Sequence, residues 1–229
     1  MKTIRFDEIE SGRRAWSRTK AEVARQYKGS YGAYAQIRRH LIPDAFFDSV
    51  LGILPMGARV CDVGCGVGLF TIAMARLRAD LRFTGLELNE LRVDAATMAA
   101  KKLGVTNVDF AAADLRQPRF DGSFDAVLAI DVLHHLPPAA SAGLLKATHA
   151  ALSKGGMIIV KEIDIRPLWR WWVTYALDLA MAPDDSYGYL SLAARRRQIL
   201  DAGFSRVLGY KLPTILPYPH IALVGEKRE

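Results

Sequence analysis

The sequence predicts an α/β fold with a doubly wound, mainly parallel sheet of seven strands. After residue 57, short apolar runs alternate with helical patterns, which is typical of a sheet covered by helices on both faces. A glycine-rich turn directly follows the first apolar run. The last two apolar runs have no helical pattern between them, so we expect the final strand to run antiparallel to the others.

The predicted elements follow one another in a regular order. Residues 1–55 contain helical patterns. The strands expected after them read "RVCDVG", "LRFTGLEL", "NVDFAAA", "FDAVLAI", "GMIIVKEI", "FSRVLGYKL" and "HIALVGEK". The helix after the second strand is expected to begin at Asn89, a capping residue type, and to end at Gly104, a terminating one.

These patterns predict two parts of the chain. Residues 1–55 form an N-terminal helical basic arm or cap, and residues 56–229 form the α/β domain. A segment at about residues 164–190 interrupts the alternation of strands and helices with an aromatic-rich helical pattern. We interpret this segment as a lid inserted into the α/β domain.

Composition and charge restrict the class of protein. The chain has 229 residues, of which 51% are hydrophobic, as expected for an ordinary globular core. We find neither a signal-peptide pattern nor a run of about 20 apolar residues, so we expect a cytoplasmic protein. Of the net charge of +7, residues 1–40 carry most, with ten Lys or Arg against four Asp or Glu.

The basic N-terminal segment is open to two interpretations. A positive field attracts nucleic acid, anionic lipid or an anionic substrate, but the same pattern is also typical of a solvated helix face. Four of its cationic side chains are expected to be exposed: Arg13, Arg14, Arg18 and Lys20.

The glycine-rich turn "VCDVGCGVG" does not fit a nucleotide-phosphate site. Counting from Gly64 and Gly66, the dinucleotide fingerprint requires Gly or Ala where Leu69 stands. No Gly-Lys-Ser/Thr sequence occurs, and Asp62 precedes the turn. Because a carboxylate repels phosphate and attracts ammonium or sulfonium, we expect a ligand less anionic than a nucleotide phosphate. The two cysteines lack zinc-site spacing, so no metal is expected.

Five segments, in order and at characteristic spacing, resemble those of the class I S-adenosylmethionine-dependent methyltransferases. They are "VCDVGCGVG", "GLELN", "AAADL", "FDAVLAIDVLHHL" and "LSKGGMIIVKEID". The resemblance covers roughly residues 50–165, and the terminal helix and hairpin are similar to the usual end of that fold. It implies a Rossmann-like methyltransferase fold and S-adenosyl-L-methionine as cofactor.

The resemblance also implies cofactor contacts at the first two strands. Gly64, Cys65 and Gly66 would wrap the methionine part of the cofactor, with Asp62 beneath its ammonium group. Glu87, at the end of the second strand, would accept hydrogen bonds from both ribose hydroxyls. A helix start that meets the cofactor's carboxylate, and acids that meet its cations, agree with this placement.

Further contacts are implied after the third and fourth strands. Asp114 would accept from the adenine amino group, with Leu88 and Leu115 against the ring. Asp131, His134 and His135 follow the fourth strand, where this family's loop lies beside the reactive methyl group.

The loop after the fourth strand suggests a catalytic role that the residues alone do not settle. Asp131 is a candidate cofactor contact, and His134 or His135 is a candidate general base, since a histidine titrates near neutral pH. The alternative is that the histidines stabilise the loop and that alignment of the reactants supplies the rate. The segment lacks the Asn/Asp-Pro-Pro-aromatic motif of base methylation, so we expect no DNA partner.

The pattern at residues 168–181 predicts an apolar helix that must be covered. Arg170, Thr174 and Asp178 recur at every fourth position and leave a narrow polar stripe. The helix also contains three tryptophans, Trp169, Trp171 and Trp172. It is too short to span a bilayer, which leaves a packed lid as the first interpretation, with a homodimer interface or a peripheral membrane contact as alternatives.

From these observations we predict methyl transfer to a small, hydrophobic or lipid-like acceptor, with O- or C-methylation undecided. One alternative keeps the cofactor and changes the acceptor to RNA or protein. A second alternative is a peripheral membrane or partner-binding protein with a degenerate cofactor pocket.

Overall fold

The computed structural model describes residues 10–181, 188–212 and 218–228. Its sheet contains seven strands in the order β3-β2-β1-β4-β5-β7-β6. The strands are β1 Arg59–Val63, β2 Arg82–Glu87, β3 Val108–Ala112, β4 Phe124–Ile130, β5 Leu152–Ile163, β6 Arg206–Lys211 and β7 His220–Glu226. The described helices are α1 Glu10–Ala24, α2 Gly29–Leu41, α3 Asp44–Ile53, α4 Leu69–Leu77, α5 Glu90–Lys102, α6 Pro138–Ala151, α7 Leu168–Met181 and α8 Leu192–Asp201.

The strand directions confirm the predicted fold class. β1 pairs in parallel with β2, and β2 pairs in parallel with β3. β4 and β5 are also parallel, whereas β7 is antiparallel to both β5 and β6. Only eight residues, 212–219, separate β6 from β7, whereas a parallel crossover needs about a dozen or more, so β7 reverses direction.

The chain divides into two compact units, Met1–Ala113 and Asp114–Glu229. In the first unit, aromatic packing joins the N-terminal helices to the helix that follows β1. The ring of Trp16 stacks on that of Phe47 at 4.4 Å, and Phe47 stacks on Phe70 at 4.5 Å. All three side chains are buried, so helices α1, α3 and α4 share one hydrophobic core.

Burial of one basic side chain corrects the expectation of a uniformly exposed N-terminal arm. Arg18 is exposed as expected. Lys20 is buried, donates to the carbonyl of Arg39 at 2.5 Å and pairs with the carboxylate of Asp44. Burial lowers the pKa of Lys20, and the contact with Asp44 opposes this effect. The side chains of Arg13 and Arg14 lie outside the described residues.

Helix α7 in the second unit is only partly covered along its described side chains. Thr174, from the predicted polar stripe, is fully buried and donates back to the carbonyl of Arg170 at 3.1 Å. Trp169 and Trp172 are 61% and 59% exposed. Thr174 of the predicted polar stripe thus lies inward, whereas two of the three indoles are exposed. The side chain of Asp178 and residues 182–187 lie outside the described part.

Gly85 in β2 provides a test of the packing in the first unit. A Cβ atom at this position would lie 2.5 Å from Cδ1 of Phe110 and 2.8 Å from Sγ of Cys65. We expect Gly85→Ala to lower the free energy of unfolding by about 1–3 kcal/mol, the usual cost of overpacking a core. Urea unfolding followed by circular dichroism measures this change.

The matched control is Gly52→Ala in α3, where a Cβ atom would meet nothing within 4 Å. Because alanine favours a helix over glycine by about 1 kcal/mol, this variant is expected to be at least as stable as the parent protein. Equal stability of the two variants would contradict the packing described for Gly85.

Candidate functional site

The loop after β1 makes its sharp turn through three glycines at alternate positions. Gly64, Gly66 and Gly68 have φ angles of 73°, 58° and 76°, in the left-handed region where side chains are unfavourable. The N–H groups of Gly64 and Cys65 both donate to the carbonyl of Leu86, at 2.7 and 3.1 Å. This loop is therefore fixed against the end of β2.

Two of these glycines meet different surroundings. A Cβ atom on Gly68 would lie 2.8 Å from both Ala96 and Phe110, so the missing side chain permits close packing. On Gly66 the nearest atom would be the hydroxyl oxygen of Tyr34, at 3.9 Å. The main chain at Gly66 is thus open to a ligand, at a point where α4 begins shortly afterwards with its positive dipole end.

Asp62 is a buried carboxyl group at the end of β1. Thr71 donates to its Oδ2 at 2.5 Å, and the residue is only 3% exposed. Burial raises the pKa of Asp62 to about 7, with Glu87 adding to the rise, while Thr71 and Arg38 oppose it. The group is therefore poised to ionise near neutral pH when a cation approaches.

Glu87 ends β2, and its two carboxylate oxygens have different backbone partners. Its Oε2 accepts from the N–H of Gly66 at 3.0 Å, and its Oε1 accepts from the N–H of Asn89 at 3.1 Å. The guanidinium of Arg92 lies 3.7 Å from Oε1. Since each carboxylate oxygen has two lone pairs, Glu87 can accept two further bonds from a diol. Leu88, the next residue, is 58% exposed.

The N-terminal helices contribute residues that the sequence analysis did not identify. Tyr27 donates to the carbonyl of Val67 at 2.5 Å and is buried. Arg38 lies with its guanidinium carbon 5.9 Å from the centre of the Phe70 ring, and its charge lowers the pKa of Asp62. Helix α2 therefore places a cation beside the glycine loop.

No local signal in the sequence distinguishes Arg38 from its neighbour Arg39. The side chain of Arg39 bonds Gln36 at 2.8 Å on the exposed surface. Both arginines belong to the same basic run, and only the tertiary fold shows which one approaches Asp62.

The residues predicted to hold adenine lie at the start of the second unit. Asp114 accepts from the backbone N–H of Arg116 at 2.9 Å and from its guanidinium Nε and Nη2. These contacts hold the pKa of Asp114 below its usual range. Leu115 is buried. A carboxylate at this position is thus ionised and already bonded to a cation.

Asp131 directly follows β4 in a constrained conformation. Its φ angle is 53°, which is rare for a residue other than glycine and is often associated with functional sites. The carboxylate lies 2.5 Å from Nζ of Lys161, a side chain that is fully buried in β5. Asp131 also donates its N–H to the carbonyl of Lys161 at 2.8 Å.

The two candidate histidines occupy different environments. They lie in a single 3-10 turn, Leu133–His135, with their ring centres 4.2 Å apart. His134 is 1% exposed, and its Nδ1 lies 2.6 Å from Oε2 of Glu162. His135 is half-buried. Of the two, His135 is the more accessible to a bound molecule.

The predicted residues therefore form local groups within each unit. In the first unit, Asp62 and Glu87 face the glycine loop at the carboxyl ends of neighbouring parallel strands. In the second unit, Asp131 and both histidines share the turn that follows β4. Such strand ends are the usual ligand site of doubly wound sheets.

Comparison with known proteins shows a match to methyltransferases. Residues 60–156 match the family described as methyltransferase domain. A ubiquinone biosynthesis O-methyltransferase of Xanthomonas axonopodis pv. citri is 34% identical over 115 residues, covering 49% of this chain and 46% of that protein. The 27-O-demethylrifamycin SV methyltransferase of Amycolatopsis mediterranei is 40% identical over 94 residues, covering 39% and 34%. The chain thus spans less than half the length of either relative.

A solved structure extends the likeness of fold to nearly the whole chain. Magnesium protoporphyrin IX methyltransferase of Synechocystis PCC 6803, crystallised with bound SAH, superposes with a TM-score of 0.64. The two proteins are 24% identical, and the match covers 95% of each chain. In its domain match, its relatives and its fold, the chain is similar to the class I S-adenosylmethionine-dependent methyltransferases.

Proposed function

We propose that this protein transfers a methyl group from S-adenosylmethionine to a small, apolar acceptor. The observation that carries the proposal is the arrangement of Asp62 and Glu87 around the open main chain at Gly66. Two relatives that bear methyltransferase names, in ubiquinone biosynthesis and on a rifamycin, support a small-molecule acceptor. RNA or protein as acceptor has no comparable support.

The residues of the first unit fit the chemistry of this cofactor. Asp62 resists ionisation when no cation is near it, and the cofactor's ammonium group would favour its charged form. Glu87 retains lone pairs for the ribose hydroxyls. Arg38 stands close enough to Asp62 to lower its pKa, and we assign it to the carboxylate next to that ammonium group. When bound, the cofactor supplies an electrophilic methyl group on its sulfonium.

The adenine end is assigned to Leu88, Asp114 and Leu115. Leu88 offers an exposed apolar side chain on which an aromatic ring can pack. Asp114 is held by Arg116, so an adenine amino group would use lone pairs that the guanidinium leaves available. The ion pair orients the carboxylate before the ligand arrives.

The acceptor side is assigned to the second unit, where aromatic rings cluster. Tyr189 stacks on His134 at 4.9 Å, and the ring of Trp171 meets Tyr189 edge-on at 6.2 Å and stacks on Tyr175 at 5.5 Å. Aromatic surfaces of this kind favour a planar, apolar guest. We assign proton removal from an acceptor hydroxyl to His135, because His134 is buried and bonded to Glu162.

Helix α7 also supports a peripheral membrane contact. Within the described residues no helix is long and apolar enough to cross a membrane. Trp169 and Trp172 are nevertheless exposed, and the guanidinium carbon of Arg170 lies 5.2 Å from the centre of the Trp169 ring. Indole rings next to a cation favour the interface of an anionic membrane, where an apolar acceptor would be found.

Cofactor binding is expected to depend on pH through Asp62. Because burial raises the pKa of its free carboxyl to about 7, binding a cation below that pH requires loss of a proton. The affinity for S-adenosylhomocysteine should fall about tenfold from pH 8 to pH 6. Calorimetry measures the affinity and the accompanying proton release.

Two variants separate this pH dependence from other causes. Asp62→Asn should bind weakly and without the pH-dependent change. Thr71→Val removes a hydrogen bond that lowers the pKa of Asp62, so the loss of affinity should begin at higher pH. Wild-type binding that stays constant from pH 6 to pH 8 would contradict the role assigned to Asp62, and no binding of the probe would overturn the proposed function.

Arg38 is expected to recognise the amino-acid end of the cofactor. Arg38→Gln should weaken S-adenosylhomocysteine binding at least tenfold, equivalent to about 1.4 kcal/mol and typical of a lost bond to a charged group. Binding of 5′-methylthioadenosine, which lacks the amino-acid end, should not change. Arg39→Gln is the control, since Arg39 faces Gln36. Equal losses for both ligands would mean that Arg38 acts only through the fold.

The acceptor assignment is tested with a simple phenolic probe and two tryptophan variants. Using labelled S-adenosylmethionine, methylation of catechol is compared with methylation of an RNA transcript and a peptide. We expect transfer to catechol, with a higher KM in Trp171→Ala and an unchanged KM in Trp169→Ala. Trp169→Ala should instead reduce sedimentation with anionic vesicles. Transfer to RNA or peptide alone would overturn the small-molecule assignment.

A further inference from the structure

A buried charged cluster lies in the second unit, outside the contacts that the proposed reaction uses. Its members are Glu162 at the end of β5, His134 in the turn after β4, and Arg195 on α8. Each residue is 1% exposed. Oε2 of Glu162 lies 2.6 Å from Nδ1 of His134 and 3.9 Å from Nη2 of Arg195. Because burying a charged group is costly unless it is paired and hydrogen-bonded, three ionisable groups can be buried together only if they bond to one another.

The charge state of Glu162 determines the protonation of His134. Burial alone would raise the pKa of Glu162, and Asp131 acts in the same direction. The contacts with His134 and Arg195 outweigh both and hold the pKa below its usual range. An ionised carboxylate accepts hydrogen bonds and cannot donate them. The short contact therefore has its proton on Nδ1 of the His134 ring.

Glu162 also holds the backbone of the same turn. Its Oε1 accepts from the N–H of Leu133 at 2.8 Å, while its Oε2 faces the imidazole. One carboxylate thus fixes both the main chain and a side chain of the turn that follows β4. The guanidinium Nη1 of Arg195 donates to the hydroxyl oxygen of Ser141 at 3.2 Å and to the side-chain oxygen of Gln198 at 2.5 Å.

His134 in turn contacts the chain that follows the aromatic-rich helix. Its carbonyl accepts from the N–H of Gly188 at 2.7 Å. Its ring stacks on Tyr189 at 4.9 Å with an interplanar angle of 15°. Tyr189 meets Trp171 and Tyr175 edge-on, at 6.2 and 6.5 Å. The contacts from Glu162 to this aromatic cluster are continuous and pass through His134.

We propose that Glu162 is a positioning residue for the acceptor site, which fixes the Nδ1–H form of His134 and through it the placement of residues 133–135 and 188–189. The role in the acceptor site rests on the proposed function. The carboxylate itself touches no acceptor, and its effect is carried by the ring and carbonyl of His134. Loss of its charge would free the imidazole to take either tautomer and loosen the Tyr189 contact.

Nitrogen-15 NMR of the histidines tests the tautomer without any acceptor. In the wild-type protein at pH 7.5, His134 should show a protonated Nδ1, with that proton shifted far downfield. In Glu162→Gln, whose amide can either accept or donate, Nδ1 should be protonated in only part of the molecules and the downfield signal should be lost. Arg197→Gln is the control, because Arg197 forms an exposed pair with Asp201 on the same helix as Arg195. A wild-type His134 without a proton on Nδ1 would overturn the proposal.

Hydrogen exchange tests the link to the aromatic cluster. Peptides that contain residues 133–135 and 188–189 should exchange at least tenfold faster in Glu162→Gln than in wild type and Arg197→Gln. His134→Asn, which keeps a donor for Glu162 but loses the ring, should loosen 188–189 more than 133–135. Unchanged exchange in both variants would overturn the positioning role.

S-adenosylhomocysteine affinity reports separately on the folded state of each variant. It should stay within twofold of wild type in Glu162→Gln and His134→Asn, because the contacts assigned to this probe lie elsewhere. If Glu162→Gln does not fold, His134→Asn and the wild-type tautomer still decide the proposal. If the protein binds no such cofactor, the proposed function fails, whereas the tautomer and exchange results remain interpretable on their own.

Discussion

Buried carboxylates at the carboxyl ends of parallel strands are the constraint on which the candidate residues of each unit depend. A charge removed from water is costly unless a partner compensates it. Asp131 and Glu162 are compensated internally, by Lys161 and by His134 with Arg195. Asp62 and Glu87 are instead held by a hydroxyl and by backbone N–H groups. Asp131 and Glu162 can therefore hold the turn after β4 in one conformation without a ligand. Asp62 and Glu87 are stabilised most when a cationic, hydroxyl-rich ligand binds.

The conformation of the glycine loop allows Asp62 and Glu87 to be held in this way. Because Gly64 and Gly66 adopt left-handed conformations, the main chain can turn directly above Asp62 and present an N–H group to Glu87. A side chain at Gly66 would occupy the space in which a ligand must approach. Packing at Gly68 and Gly85 against Phe110 then keeps the loop in place.

Local patterns predicted most of the fold and the part of the site that lies on regular elements. Alternating apolar runs located every strand, and the missing crossover helix predicted the reversal of β7. The sequence could not show that Lys20 is buried against Asp44, because charge pattern does not reveal which helix face packs inward. Glu162 and His134 are 28 residues apart, so their pairing depends on strand order rather than on spacing. Arg38 was missed for the same reason, since its partner Asp62 lies on another element.

The two adjacent histidines have different environments, and this difference bears on the rate of the proposed reaction. The two rings lie 4.2 Å apart, yet one is fixed to Glu162 while the other is half-buried. An imidazole whose Nδ1 proton is donated to a buried carboxylate gives a rigid surface for Tyr189. In the proposed reaction, orientation of the acceptor is assigned to His134 and its partners, and proton removal to His135. Because the sulfonium methyl group is already activated, alignment of the reactants can supply the rate, and a base is needed only where the acceptor atom carries a proton.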